Sequence, residues 1–198
     1  MKNSHFDNII KNNPVLVQGL GIVSVLAVSR TFKGALIMSL AVLGVFIASS
    51  IVVSALKSLI DDEYEMVSIS VITALFSFIA YMLINAFFPI TTGAMGIYAF
   101  LIAVNSMILN RLQKYAKHET IGNSIMDAFT NSLGYAAVIA ILGFIRELIG
   151  AGTLFGARII PEAYIIKTFQ EPVFAFILLG IFMAVGNSFT TKVKEEAK

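Results

Sequence analysis

Between Glu65 and Arg111 the chain runs for 45 residues without a charged side chain. At about 1.5 Å per residue, one helix of that length would be more than twice the roughly 30 Å hydrocarbon core of a bilayer. The stretch must therefore cross twice with a turn between, and FFPITTG (87–93) supplies the breakers. Charges mark the other boundaries, because each one left in hydrocarbon costs several kcal/mol. Between Lys33 and Lys57 lie 23 uncharged residues, enough for one span. Further spans are expected from Ala128 to Phe144 and from Pro172 to Phe189, and a short apolar segment runs from Val15 to Val28. Composition agrees: 58% of residues are hydrophobic and 13% charged, against roughly 45–50% and 25% in soluble domains. Long helices rather than alternating strands carry this hydrophobicity, which excludes an outer-membrane barrel. The expected fold class is an all-α integral membrane protein with six transmembrane helices.

Two of the six segments are defective in the same way. The first, VLVQGLGIVSVLAV (15–28), is short and interrupted by Gly19 and Gly21; the fourth, IYAFLIAVNSMILN (97–110), is as short and interrupted by Asn105-Ser106. Each is followed by a basic residue, Arg30 or Arg111, and then by two fuller spans. Three passes is an odd number, so the second half must lie upside down relative to the first. Matching flaws in two halves point to an inverted-repeat membrane protein with its site at the midplane. The chain reads as a single polytopic membrane domain over 1–198, with inverted halves of about 1–88 and 89–198. The plainer alternative is two short helices in a tight bundle, with glycines for close packing.

With six passes both termini share a side. That side carries nine Lys and Arg residues (Lys2, Lys11, Lys57, Arg111, Lys114, Lys117, Lys192, Lys194 and Lys198) and the other carries five. The bias favours cytoplasmic termini. The first fourteen residues, MKNSHFDNIIKNNP, lack the layout of a cleaved leader. The formal charge of +2 is too small and scattered for a nucleic-acid surface, and the absence of Cys excludes a disulfide framework and a thiolate-bound metal from this chain alone. His5 and His118 are too far apart in sequence to suggest a zinc motif.

Several polar residues at or near membrane depth invite a role. Gly19 and Gly21 permit an unwound or closely packed backbone. Asn105 and Ser106 need hydrogen-bond partners, though a serine bonding back to a carbonyl one turn earlier needs no function. Arg146 and Glu147 end the fifth span; as neighbours on a helix they point in different directions and do not simply neutralise each other. They are expected to cap a helix end or reach a neighbouring chain, and a snorkelling Arg is the plainer reading. Asp127 sits at the start of the same span, where a carboxylate suits a helix N-terminus.

The same stretches carry a resemblance. NNPVLVQGLGIVSVLAVS (12–29), VNSMILNRLQKYA (104–116) and above all GFIRELIGAGTLFG (143–156) resemble the small membrane subunits of the Rnf and Nqr electron-transport complexes. The pattern is nearest to the D subunit of the sodium-translocating NADH:quinone reductase and to the E subunit of the Rnf complex. The resemblance implies six helices in two inverted halves, and a homologous partner of opposite topology within a larger complex. It also implies a 2Fe–2S cluster shared between the pair, ion translocation driven by electron transfer, and no catalysis by the chain alone. A bacterial inner membrane is the implied location, with lipid around the chain. In the family the first broken helix reads Leu-Gly-hydrophobic-Cys and the second Asn-Cys; here those positions hold Leu20-Gly21-Ile22-Val23 and Asn105-Ser106. Val23 has no donor atom and Ser106 offers only a hard hydroxyl, so electron relay through this chain is expected to be altered or lost, with no cofactor held by this chain itself. Two other readings fit the length and span count: a vitamin-type small-molecule transporter component, or a non-redox scaffold derived from the family.

Overall fold

The computed structural model describes residues 12–87, 98–161 and 164–196, with side chains to residue 188. The expected turn at 87–93 falls almost wholly outside the described residues. The described chain is mostly helical. Asn13 caps one helical turn over residues 14–18, its Oδ1 accepting from the backbone N–H groups of Val15 and Leu16 at 2.9 and 3.0 Å. After an unwound stretch, the short helix α1 covers Ile22–Val28. α2 covers Phe32–Leu56, with Thr31 as its N-cap accepting from Gly34 N–H. A 3₁₀ turn at Asp62–Tyr64 leads into α3, Glu65–Phe87.

Residues 98–100 are helical and tighten into successive three-residue-spaced turns over 101–104, ending at Asn105. α4 then covers Ser106–Arg111 and runs on as a π-helix over Leu112–Ala116. α5, Ile121–Gly150, is the longest helix described. It stops because Gly152 adopts φ +68, and the N–H groups of Ala151 and Gly152 turn back to the carbonyls of Glu147 and Leu148. A two-stranded hairpin follows, β1 (Thr153–Leu154) against β2 (Ala157–Arg158), with Phe155 and Gly156 both at positive φ, as a tight two-residue turn requires. A 3₁₀ turn at Lys167–Gln170 precedes α6, Pro172–Glu196.

Among the described residues, three helical stretches are long and apolar enough to cross a membrane: Phe32–Leu56, Asp62–Phe87 and Ile121–Gly150, with a shorter apolar helix at Pro172–Ser188. α2 and α5 make the most extensive contact. They run antiparallel: Gly143 meets Ala35 and Phe32 at one end, and Ser54 Oγ donates to the Glu119 carbonyl at the other. A β-carbon at Gly143 would lie 2.9 Å from that of Ala35, so the glycine sets how closely the two helices approach. α3 leans on α2 and leaves most of its apolar surface exposed. Of the two interrupted apolar segments, the first packs against α2, α5 and α6, and the fourth, with its π-helical extension, against α2, α3 and α5.

Candidate functional site: the crossing of two broken segments

The first segment is broken by backbone conformation. Gly19 and Gly21 adopt φ +66 and +72, a region that a side chain makes costly. Gly21 precedes α1, so its N–H has no partner within that helix. The second segment is broken by a side chain. Asn105 is extended (φ −65, ψ 116), and its Oδ1 accepts from the Met107 N–H at 3.0 Å, starting a new helix.

The two breaks meet. Gly21 N–H donates to Ser106 Oγ at 2.9 Å across 85 residues of sequence. Ser24 Oγ donates to the Gly21 carbonyl at 2.9 Å, and accepts from Asn105 Nδ2 at 3.1 Å and from the Tyr135 hydroxyl at 3.0 Å. Ser24, Asn105 and Tyr135 are buried, so these bonds form away from water. Asn13 ties the start of the first segment to α5 through the Gly134 carbonyl at 3.0 Å. Val23 and Ser106 line one cavity of about 330 Å³, with Ser24 and Val104 in its walls. A second cavity of about 530 Å³ shares Ser106 and Val104 and is bordered by Gln18, Asn110, Gln113 and Lys114. Val23 is 68% exposed and Val104 64%, so the crossing opens on an apolar rim.

Each broken segment is anchored behind the crossing. Arg146 is fully buried and donates to four oxygens: Leu26 O (3.2 Å) and Ser29 Oγ (2.7 Å) at the end of α1, and Phe169 O (3.1 Å) and Gln170 O (3.0 Å) before α6. The guanidinium is enclosed rather than snorkelling. Glu147, one residue on, accepts from the Phe32 N–H at the start of α2 at 2.6 Å, and from Thr153 Oγ1 and Gly156 N–H of the hairpin. The adjacent pair thus holds the α1–α2 corner from both sides, the cation at a helix C-terminus and the anion at a helix N-terminus. Behind the second segment Arg111 forms a two-pronged ion pair with Asp127, Nε to Oδ2 at 2.9 Å, and lies 5.1 Å from the Tyr115 ring centre. Asp127 was expected at a helix start; α5 instead begins at Ile121, so the carboxylate lies inside the helix and serves α4. At the same end Lys117 Nζ bonds to Asp62 and Glu65, which hold its ammonium above the usual lysine range.

The structure therefore brings Gly21, Val23, Asn105 and Ser106 together and sets Asp127, Arg146 and Glu147 apart from them as anchors. Gly19 stands beside Met183 of α6. Ser24 and Tyr135, the hub of the network, are not among the residues that the sequence marks most plainly. Their signal is that each is a polar group in an apolar run, three residues after Gly21 and one after Gly134. Among the described residues no three His, Cys, Asp or Glu side chains gather as a metal site.

The profile of a family described as "Rnf-Nqr subunit, membrane protein" matches residues 1–183. The chain is 37% identical over 179 residues to the E subunit of the Na(+)-translocating ferredoxin:NAD(+) oxidoreductase complex of Acetobacterium woodii, covering 90% of this chain and 88% of that one. It is 34% identical over 197 residues to the D subunit of the Na(+)-translocating NADH-quinone reductase of Chlamydia pneumoniae, covering 94% and 92%. The E subunit of an ion-translocating oxidoreductase complex of Pseudoalteromonas atlantica is 36% identical over 160 residues, covering 80% and 69%.

Proposed function

The chain belongs to the Rnf-Nqr family of membrane subunits, and we propose on that footing that it is one subunit of a redox-driven, ion-translocating electron-transport complex. The relatives named above are subunits of such complexes. One observation carries the reading furthest: the two interrupted segments, 85 residues apart, join through Gly21 and Ser106. Inverted-repeat membrane proteins build their sites where interrupted helices meet. We take the chain as a single domain of six passes in two inverted halves, about 1–88 and 89–198, in a bacterial inner membrane with both termini cytoplasmic. A homologous partner of opposite topology would cover the unwound backbone near Gly19 to Gly21 and Leu101 to Val104, since a bilayer tolerates such backbone only under protein or water.

The residues present do not fit the iron–sulfur cluster that the family implies. The chain holds no Cys. Val23 has no donor, and the Ser106 oxygen already accepts the Gly21 N–H. No step of electron transfer is routed through this chain, whose contribution is to frame the membrane path and hold its neighbours.

Purification from host membranes by a tag on this chain tests the reading. Co-purification with a homologous membrane chain and further subunits is expected; a monodisperse, thermally stable monomer obtained alone would end it. Reporter fusions at Lys198 and Phe155 should report opposite sides of the membrane, and a shared side removes the six-pass arrangement.

A further inference from the structure

We infer that Ser106 is a positioning residue whose hydroxyl staples the two broken segments directly to each other, and that the crossing so closed holds no iron–sulfur cluster. The inference rests on the reading of the crossing as the functional site of a family subunit.

Gly21 creates the need for the staple. Its left-handed conformation places it ahead of α1, with an N–H that the helix cannot use. At membrane depth hydrocarbon cannot satisfy such a group, so protein or water must. Ser106 does so from the opposite half at 2.9 Å. The Ser24 hydroxyl beside it is saturated. Ser24 Oγ donates once and accepts twice, the whole capacity of a hydroxyl. Asn105 uses its Oδ1 to cap α4 and its Nδ2 to reach Ser24. The cavity that Val23 and Ser106 share is therefore walled by oxygens and nitrogens already engaged, and by apolar Val23, Leu101 and Val104. Iron in such clusters takes thiolate or imidazole ligands, and neither is present. Where a cluster would bridge the segments with metal–sulfur bonds, two N–H···O bonds join them here, Gly21 N–H to Ser106 Oγ and Asn105 Nδ2 to Ser24 Oγ.

Hydrogen–deuterium exchange on the tag-purified complex decides the matter, with wild type, Ser106→Ala and Ser106→Thr compared. Losing the acceptor should raise exchange in the segment containing Gly21 about tenfold, leave α2 and α5 unchanged, and be reversed by Thr, which restores the hydroxyl. Iron content and visible absorption should be the same in all three. If Ser106→Ala does not accumulate, Ser106→Cys, with its weaker acceptor, should give a smaller local rise of about threefold. Unchanged exchange at Gly21, an equal rise through α2 and α5, or loss of iron on replacing Ser106 would each overturn the inference. A chain that co-purifies with nothing defeats the proposed function, while its exchange pattern still decides the staple.

Discussion

The two broken segments do the same job by different means. In the first, glycine backbone at positive φ makes the break, and a buried guanidinium bonded to four neutral oxygens fixes the helix that follows. In the second, the Asn105 side chain makes the break, and the Arg111–Asp127 ion pair fixes the helix that follows, with the Arg111 side chain still 19% exposed. The first segment thus depends on the absence of a β-carbon and on a charge sealed from water. The second depends on a replaceable cap and on a charge that still reaches solvent. The two segments should therefore differ in their tolerance of substitution.

The largest asymmetry should appear at the anchors. Replacing Arg146 with Met removes the donor shared by four oxygens in an enclosed site, an expected loss on the order of 3–5 kcal/mol. The chain should then fail to accumulate in membranes, which quantitative blotting measures, and Arg146→Lys should recover only part. Asp127→Asn should cost less, about 2 kcal/mol, because Arg111 can turn toward water once unpaired. Thermal unfolding in detergent checks this; an equal loss for the two variants would break the comparison.

The sequence made the existence of both breaks legible, because charge-free runs and matching interruptions survive in one dimension. Which atoms join them was not legible. Ser24 and Tyr135 lie 111 residues apart, and nothing local marks a serine in an apolar helix as a hub rather than one bonding back to its own turn. Asp127 was misplaced for a related reason. The mixed stretch Thr120 to Ser124 precedes the apolar run, yet all of it but the N-cap Thr120 already lies within α5, because the helix extends past the apolar stretch to meet α2 and the π-turn before it. Arg146 and Glu147 were recognisable as anchors only in kind. Their partners, the α1–α2 corner and the hairpin, are tertiary facts. The loop near Pro89 lies outside the described residues.

Smaller effects sharpen the contrast at the crossing itself. Gly21→Ala should destabilise by about 1–2 kcal/mol, since its φ is +72. The added carbon would also lie 3.2 Å from Asn105 Oδ1 and 3.4 Å from the Tyr135 ring. Asn105→Ser keeps an acceptor that can cap α4 and should cost only about 0.5–1 kcal/mol. Denaturation midpoints of the two variants, compared in one detergent, rank them; a milder effect at Gly21 than at Asn105 would reverse the assignment of backbone and side-chain breaks.

The central claim, that the two breaks face one another across the crossing, has a direct test because the chain contains no Cys of its own. Val23→Cys and Ser106→Cys, introduced together, place two thiols on the walls of one cavity. A short bifunctional thiol reagent followed by proteolytic cleavage between the two positions reports whether they were joined. The account predicts fragments held together by an intrachain bridge in the double variant and released in each single one. Fragments that separate in the double variant, with both thiols shown to have reacted independently, would contradict it.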